Sequence, residues 1–149
     1  MKDEPDSPVE LRARALRLLA RREHSRAELG RKLSRYADSS EGLEVLLVDL
    51  EKRKQLSDER FASERARSLS RKYGAARIRY DLKAKGVDAQ LIDRISSEGD
   101  LERARSILER KYREPAATRE ERAKRMRFLQ GRGFSFDVIR SLLSSRDPD

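Results

Sequence analysis

Between residues 71 and 85 the chain places Arg71, Lys72, Arg77, Arg79, Lys83 and Lys85 against one acid, Asp81. Cations at that density attract a phosphate backbone or another acidic surface, and arginine adds forked hydrogen bonds to phosphate or carboxylate oxygens. A second run follows in Arg119, Arg122, Lys124, Arg125, Arg127 and Arg132, offset by Glu120 and Glu121. Two basic clusters in succession make a stripe, which suits an extended anionic partner. The candidate contact residues are therefore Arg71, Lys72, Arg77, Arg79, Lys83, Lys85, Arg125, Arg127 and Arg132. On a helix Arg79 and Lys83 lie one turn apart and share a face. Arg71 and Lys72 end the preceding helix, so these four are expected to form one patch. Tyr80 falls off the apolar stripe among the same bases. There it suits base stacking or a protein contact, or simply a tyrosine lying flat at a module boundary.

Catalytic chemistry has little to stand on. His24 is the one histidine and falls between two helices, where a surface position is expected. There is no cysteine, which excludes a thiol nucleophile, disulfides and thiolate metal sites. The serines lack a His–Asp pair to activate them, and no G-x-x-x-x-G-K-[ST] loop is present. The carboxylates mostly stand three or four residues from a cation, as in Glu28–Lys32, Glu64–Arg67 and Glu109–Arg113, the spacing of ordinary surface pairs. Neither a cofactor nor a metal is expected.

The elements that must carry these residues are helices. Scarce β-branched residues and 3.6-residue apolar periodicity point to an all-α protein. Leu82-x-x-x-Gly86-Val87-x-x-x-Leu91-Ile92-x-x-Ile95 returns as Leu129-x-x-x-Gly133-Phe134-x-x-x-Val138-Ile139-x-x-Leu142. Each copy is a helix stopped at a glycine, a turn, and a second helix with an apolar stripe. Repetition of such a unit means an array of small modules.

Nine helices are expected in three groups of three. The first starts at Pro8, and Ser25 with Glu28 forms a capping box for the second. The third carries Leu43, Leu46, Leu47 and Leu50. Ser57 or Asp58 caps the fourth, which Gly74 stops. Asp88 caps a sixth helix that reaches Ile95 and closes at Gly99. Asp100 caps the seventh and Ser135 the ninth. The division is a flexible tail 1–8, modules 9–57, 58–99 and 100–145, and a tail 146–149. The first module has four extra residues between its second and third helices and no glycine stop. Tandem three-helix repeats with this division are expected to form an elongated, curved array.

Composition agrees. Only 36% of the 149 residues are hydrophobic and 5% aromatic, which favours several thin cores over one thick one. The net charge of +9 is concentrated in the body, because Asp3, Glu4, Asp6 and Glu10 make the N-terminal end acidic. A basic body points to nucleic acid, a nucleoprotein or an acidic protein. No signal peptide or membrane-length apolar run is visible, so a cytoplasmic protein is expected. The absence of a long heptad seam points to a monomer.

Leu56-Ser57-Asp58-x-x-Phe61-Ala62, then Lys72-Tyr73-Gly74-x-x-Arg77-Ile78-x-x-x-Leu82-x-x-Lys85-Gly86-Val87, resembles the RecX family. Phe128-Leu129-x-x-Arg132-Gly133-Phe134 and Val138-Ile139 resemble its C-terminal part. The likeness spans roughly residues 9 to 145 and rests on order and spacing more than on any one motif. It implies a regulator of the RecA recombinase, built of tandem three-helix repeats and not itself an enzyme. Such a regulator binds RecA and RecA–DNA filaments along the helical groove. There it restrains filament growth, ATP hydrolysis and strand exchange, within recombination, DNA repair and the SOS response. DNA is implied as a secondary partner and a membrane is not. From the residues alone two other classes stay open: a stand-alone basic DNA-binding protein and a scaffold for a different acidic protein.

Overall fold

Stripes of leucine and alanine, closed by capping residues, set the helices of this chain. The computed structural model describes residues 4–144. Among them are nine helices and no strand: α1 (Pro8–Arg21), α2 (Arg26–Ser34), α3 (Ser40–Lys52), α4 (Asp58–Leu69), α5 (Ala75–Ala84), α6 (Ala89–Ile92), α7 (Asp100–Lys111), α8 (Arg119–Gly131) and α9 (Phe136–Ser144). No helix among the described residues is long and apolar enough to cross a membrane. Of the expected N-terminal tail, residues 1–3 lie outside the described residues. Within the rest, the Asp6 N–H donates to Tyr36 O (2.8 Å) and Arg14 pairs with the Asp6 carboxylate (2.8 Å). The tail expected over 146–149 lies outside the described residues.

The described chain divides into two compact units. One holds the residues up to Glu64 together with Leu82–Ile92, and the other holds Arg65–Asp81 together with the residues from Asp93 on. In the first, α1, α2 and α3 close on Leu11, Ala15, Leu29, Leu33, Leu46, Leu47, Leu50 and Leu56. In the second, α7, α8 and α9 close on Ala104, Ile107, Leu108, Leu129, Phe134, Ile139 and Leu142. Each fully buried leucine contributes about 2 kcal/mol by leaving water.

The recurring Leu-x-x-x-Gly-apolar motif is a helix-stop motif. The Val87 N–H reaches back to Leu82 O (3.0 Å) and the Gly86 N–H to Lys83 O (3.0 Å); Phe134 and Gly133 do the same to Leu129 O (3.2 Å) and Gln130 O (3.0 Å). These are the two bonds of a Schellman cap, which needs a left-handed residue after the helix. Gly86 and Gly133 supply it, with φ +78° and +91°. The leucine and the residue after the glycine are buried in both copies.

The same glycines let the chain approach a neighbouring helix closely. A Cβ on Gly86 would stand 2.5 Å from the Ala27 Cβ, and one on Gly133 would stand 2.6 Å from the Arg77 N. Each glycine therefore lies against the first turn of an earlier helix, α2 or α5. Two hydrogen bonds reinforce each approach. Asp58 accepts from the Arg26 N–H (2.7 Å), and Ser25 Oγ donates to Lys85 O (2.7 Å). Asp100 accepts from the Ala75 N–H (3.2 Å), and the Gly74 N–H donates to Arg132 O (2.8 Å). The repeat is thus one of joins as well as of helices.

Several expected caps are corrected by these joins. Asp100 does not cap α7, whose N-cap is Gly99 without a side-chain bond; its carboxylate caps α5 instead. Ser57 caps α4 through the Arg60 N–H (3.1 Å), which leaves Asp58 for α2. Gly74 does not stop α4, which ends at Leu69; it precedes α5, where the Arg132 carbonyl comes close. The capping box at Ser25 is half formed. Ser25 Oγ accepts from the Glu28 N–H, but the Glu28 carboxylate turns to Arg22. A complete box occurs at Ser7 and Glu10. The sixth helix stops at Ile92, short of Ile95, whose carbonyl accepts from Arg79 rather than from a helical N–H.

Candidate functional site

A charged side chain can recruit a partner only if it is accessible and not already neutralised, and the arginines divide on this test. Many are held by carboxylates, including Arg12 with Asp49, Arg22 with Glu28, Arg26 with Glu51, Arg60 with Glu23 and Arg65 with Asp81. A different set in the second unit faces carbonyls and aromatic rings. Arg110 Nη2 donates to Arg71 O (2.7 Å), at the turn after α4. Arg132 Nη1 reaches Lys72 O (3.5 Å), and Arg77 Nη1 reaches Gly131 O (3.5 Å). The Gly131 carbonyl ends α8, where the backbone dipole favours a cation, and the Arg71 and Lys72 carbonyls lie in the turn after α4.

The rings complete the set. Arg77 and Arg132 lie over Tyr73, with Cζ 5.2 and 5.4 Å from its centroid. Arg132 is also 5.1 Å from the Phe128 centroid, and the Lys111 Nζ is 4.1 Å from it. Cation–ring contacts of this kind are worth about 0.5–1 kcal/mol each at exposed sites. Among the described residues, no carboxylate holds Arg71, Lys72, Arg77, Arg110, Lys111 or Arg132. Apart from half-buried Arg132, all are exposed. Their positive charge is not neutralised by a carboxylate among the described residues.

The nine expected contact residues therefore separate. Arg77 and Arg132 come together over Tyr73, which Arg71 and Lys72 precede in the chain, while Arg110 reaches the Arg71 carbonyl and Lys111 shares the Phe128 ring with Arg132; sequence reasoning missed these last two cations, Arg110 and Lys111. The signal for those two was present, because both lie in the last turn of α7, but nothing local says that this turn faces Arg71. Lys83 and Arg127 are exposed on their own helices, and Lys85 is half-buried with its carbonyl taken by Ser25. Arg79 does not share a free patch with Lys83: its guanidinium is committed to Ile95 O and half-buried. Arg125 is 7% exposed, donates to Glu114 O (2.8 Å) and lies 4.3 Å from the Tyr112 centroid. It packs the unit and is not available to a partner. Tyr80 is 71% exposed.

His24 corrects the expectation of a surface histidine, being 1% exposed. Its Nε2 is 3.0 Å from Lys32 Nζ and its Nδ1 is 3.0 Å from Arg22 O. An ammonium only donates, so Nε2 accepts and Nδ1 carries the proton. Both nitrogens are used structurally. Burial, then the nearby Arg22 and Lys32 charges, hold the imidazole below its ordinary pKa. Glu28 takes Arg22 rather than the expected Lys32, and the Arg22 hydrogen bond lowers its carboxyl to about 2. Among the described residues no cluster of His, Cys, Asp and Glu is arranged to hold a metal.

Acidification is expected to weaken the fold in two stages. As pH falls through about 6.5, the unfolded chain takes a proton on His24 before the folded one does, so stability declines. Below about 4.5 the unfolded chain protonates Glu28 first, removing roughly 2 kcal/mol as pH approaches 2. Urea unfolding across pH measures both stages. The upper one should vanish in His24→Gln, and its persistence there would place the titration elsewhere.

Fold and site together define the class: an all-α protein of tandem three-helix repeats that carries a basic surface without carboxylate partners among the described residues. Residues 57–94 match the family described as RecX, second three-helix domain, and residues 98–143 match RecX, third three-helix domain. The chain belongs to the RecX family of regulatory proteins. It is 44% identical over 139 residues to the regulatory protein RecX of Herbaspirillum seropedicae, covering 91% of this chain and 90% of that one. To the regulatory protein RecX of Leptothrix cholodnii it is 42% identical over 142 residues, covering 93% and 90%. It also resembles the crystal structure of RecX from Lactobacillus salivarius, with a TM-score of 0.80 at 19% identity over 93% of this chain and 95% of that one. At that identity the likeness speaks for the fold alone.

Proposed function

We propose that this protein binds RecA and RecA–DNA filaments and negatively modulates filament growth, ATP hydrolysis and strand exchange in recombination and DNA repair. The modules 9–57, 58–99 and 100–145 form the frame of this reading. The observation that carries it is the basic face beside Tyr73 and Phe128, where among the described residues Arg71, Lys72, Arg77, Arg110, Lys111 and Arg132 lack a carboxylate of their own. A filament on DNA offers such a face both phosphate and acidic protein surface. Lys83 and Arg127 add exposed charge on their own helices, while Arg79 and Arg125 act within the fold.

The test is RecA ATP hydrolysis on single-stranded DNA in excess, with this protein titrated in at constant salt. Inhibition well below one molecule per RecA supports filament binding. The triple variant Arg71→Glu, Lys72→Glu, Arg77→Glu should remain folded and inhibit about tenfold less well, since reversing rim charges weakens association. Unchanged inhibition by the folded variant would remove this face from the reading. Tight binding to bare DNA with a steep salt slope, but no effect on RecA, would favour the stand-alone DNA-binding class.

A further inference from the structure

The first unit carries a surface of opposite character. Residues 4–7, the first turn of α1 and the first half of α3 enclose an open groove of about 910 Å³. Pro5, Pro8, Leu43 and Leu46 line it, with Val9 and Val45 beside them at 79% and 70% exposure. These two β-branched side chains extend the apolar lining of the groove out to solvent.

The charges around it are acidic. Glu4, Asp6, Glu10 and Asp38 line the groove, and among the described residues Glu4 and Asp38 have no counter-ion. Asp6 is held by Arg14, and Glu10 accepts from the Ser7 N–H (2.8 Å). The one lining cation is Arg12, and it is tied to Asp49. In a chain of net charge +9, this groove repels the anions that the Tyr73 face attracts.

We infer that the groove docks a basic amphipathic segment of a protein partner, with apolar side chains against Val9, Leu43 and Val45 and lysines or arginines toward Glu4 and Asp38. The apolar contact supplies the affinity, and the acidic rim selects the sign of the flanking charge. The protein then has two recognition surfaces of opposite charge preference.

The isotope-labelled 149-residue chain is titrated with a synthetic leucine–lysine helix of about 18 residues, roughly five turns, and its amide shifts are followed. The control is the same peptide with glutamate for lysine. Shifts are expected at Val9, Leu43, Val45 and Leu46 with the lysine peptide, weakening as salt screens the rim. The pair Val9→Lys and Val45→Lys should reduce affinity at least about tenfold with unchanged thermal unfolding, because both positions are exposed. Equal binding of the glutamate peptide, shifts confined to other residues, or undiminished binding by the double variant would each overturn the inference. So would concentration-dependent shifts of the same residues without peptide, which would make a second copy of the chain the occupant.

Discussion

Gly133→Ala is expected to cost about 3–4 kcal/mol of stability, while Gly131→Ala, two residues earlier, should be neutral or stabilising by about 0.5 kcal/mol. The first change meets two separate penalties. At φ +91° a β-carbon costs about 1–2 kcal/mol against the left-handed backbone. The new atom would also stand 2.6 Å from the Arg77 N, and crowding of that kind costs about 1–3 kcal/mol. Relief would require Gly133 to move from Arg77, which would strain the bond from the Gly74 N–H to Arg132 O. Gly131 is the last residue of α8, and a β-carbon there would meet nothing within 4 Å, so alanine gains helix propensity. Urea unfolding of the two variants makes the comparison. Equal stabilities would mean that neither the left-handed backbone nor the approach to Arg77 constrains this position, and a loss of only about 1–2 kcal/mol would leave the helix stop as its sole role.

Asp100→Ala is expected to cost about 3 kcal/mol, and Asp100→Asn about 1 kcal/mol. Asp100 is 3% exposed and accepts from the Ala75 N–H while pairing with Arg103. Alanine leaves a buried N–H at the start of α5 without an acceptor and strands a half-buried guanidinium. Removing one partner of a buried pair typically costs about 3–5 kcal/mol. The Arg103 Nε already lacks a partner among the described residues, so the guanidinium has little to fall back on. Asparagine keeps an oxygen for the Ala75 N–H and loses only the ion pair, which separates capping from pairing. Chemical denaturation decides it: a loss below about 1 kcal/mol for alanine would reduce Asp100 to an ordinary local residue. Asp58 makes the equivalent bond to the Arg26 N–H, and burial raises its carboxyl above the ordinary value. Protonation of Asp58 is therefore easier in the folded chain than in the unfolded one, opposite in sign to Glu28.

Helix positions and the repeat were legible in the chain because both are local. Apolar residues at 3.6-residue spacing, Ser25 and Ser57 at helix starts, and glycine after Leu82 and Leu129 act through bonds spanning five residues or fewer. The membership in a repeat family follows from the same local pattern read twice. What the tertiary structure decided was the choice of partners. With 36 cations and 27 carboxylates in one chain, spacing along a helix offers each arginine several acids. Only the packing of distant helices brings Arg65 to Asp81, Asp58 to Arg26 and Asp100 to Ala75. The same packing buries Arg125 and His24, turns Arg79 inward, brings Arg77 and Arg132 over Tyr73 and sets Arg110 on the Arg71 carbonyl, with no carboxylate holding these cations among the described residues. Local periodicity sets which face of a helix is apolar; long-range proximity sets which charges remain unsatisfied.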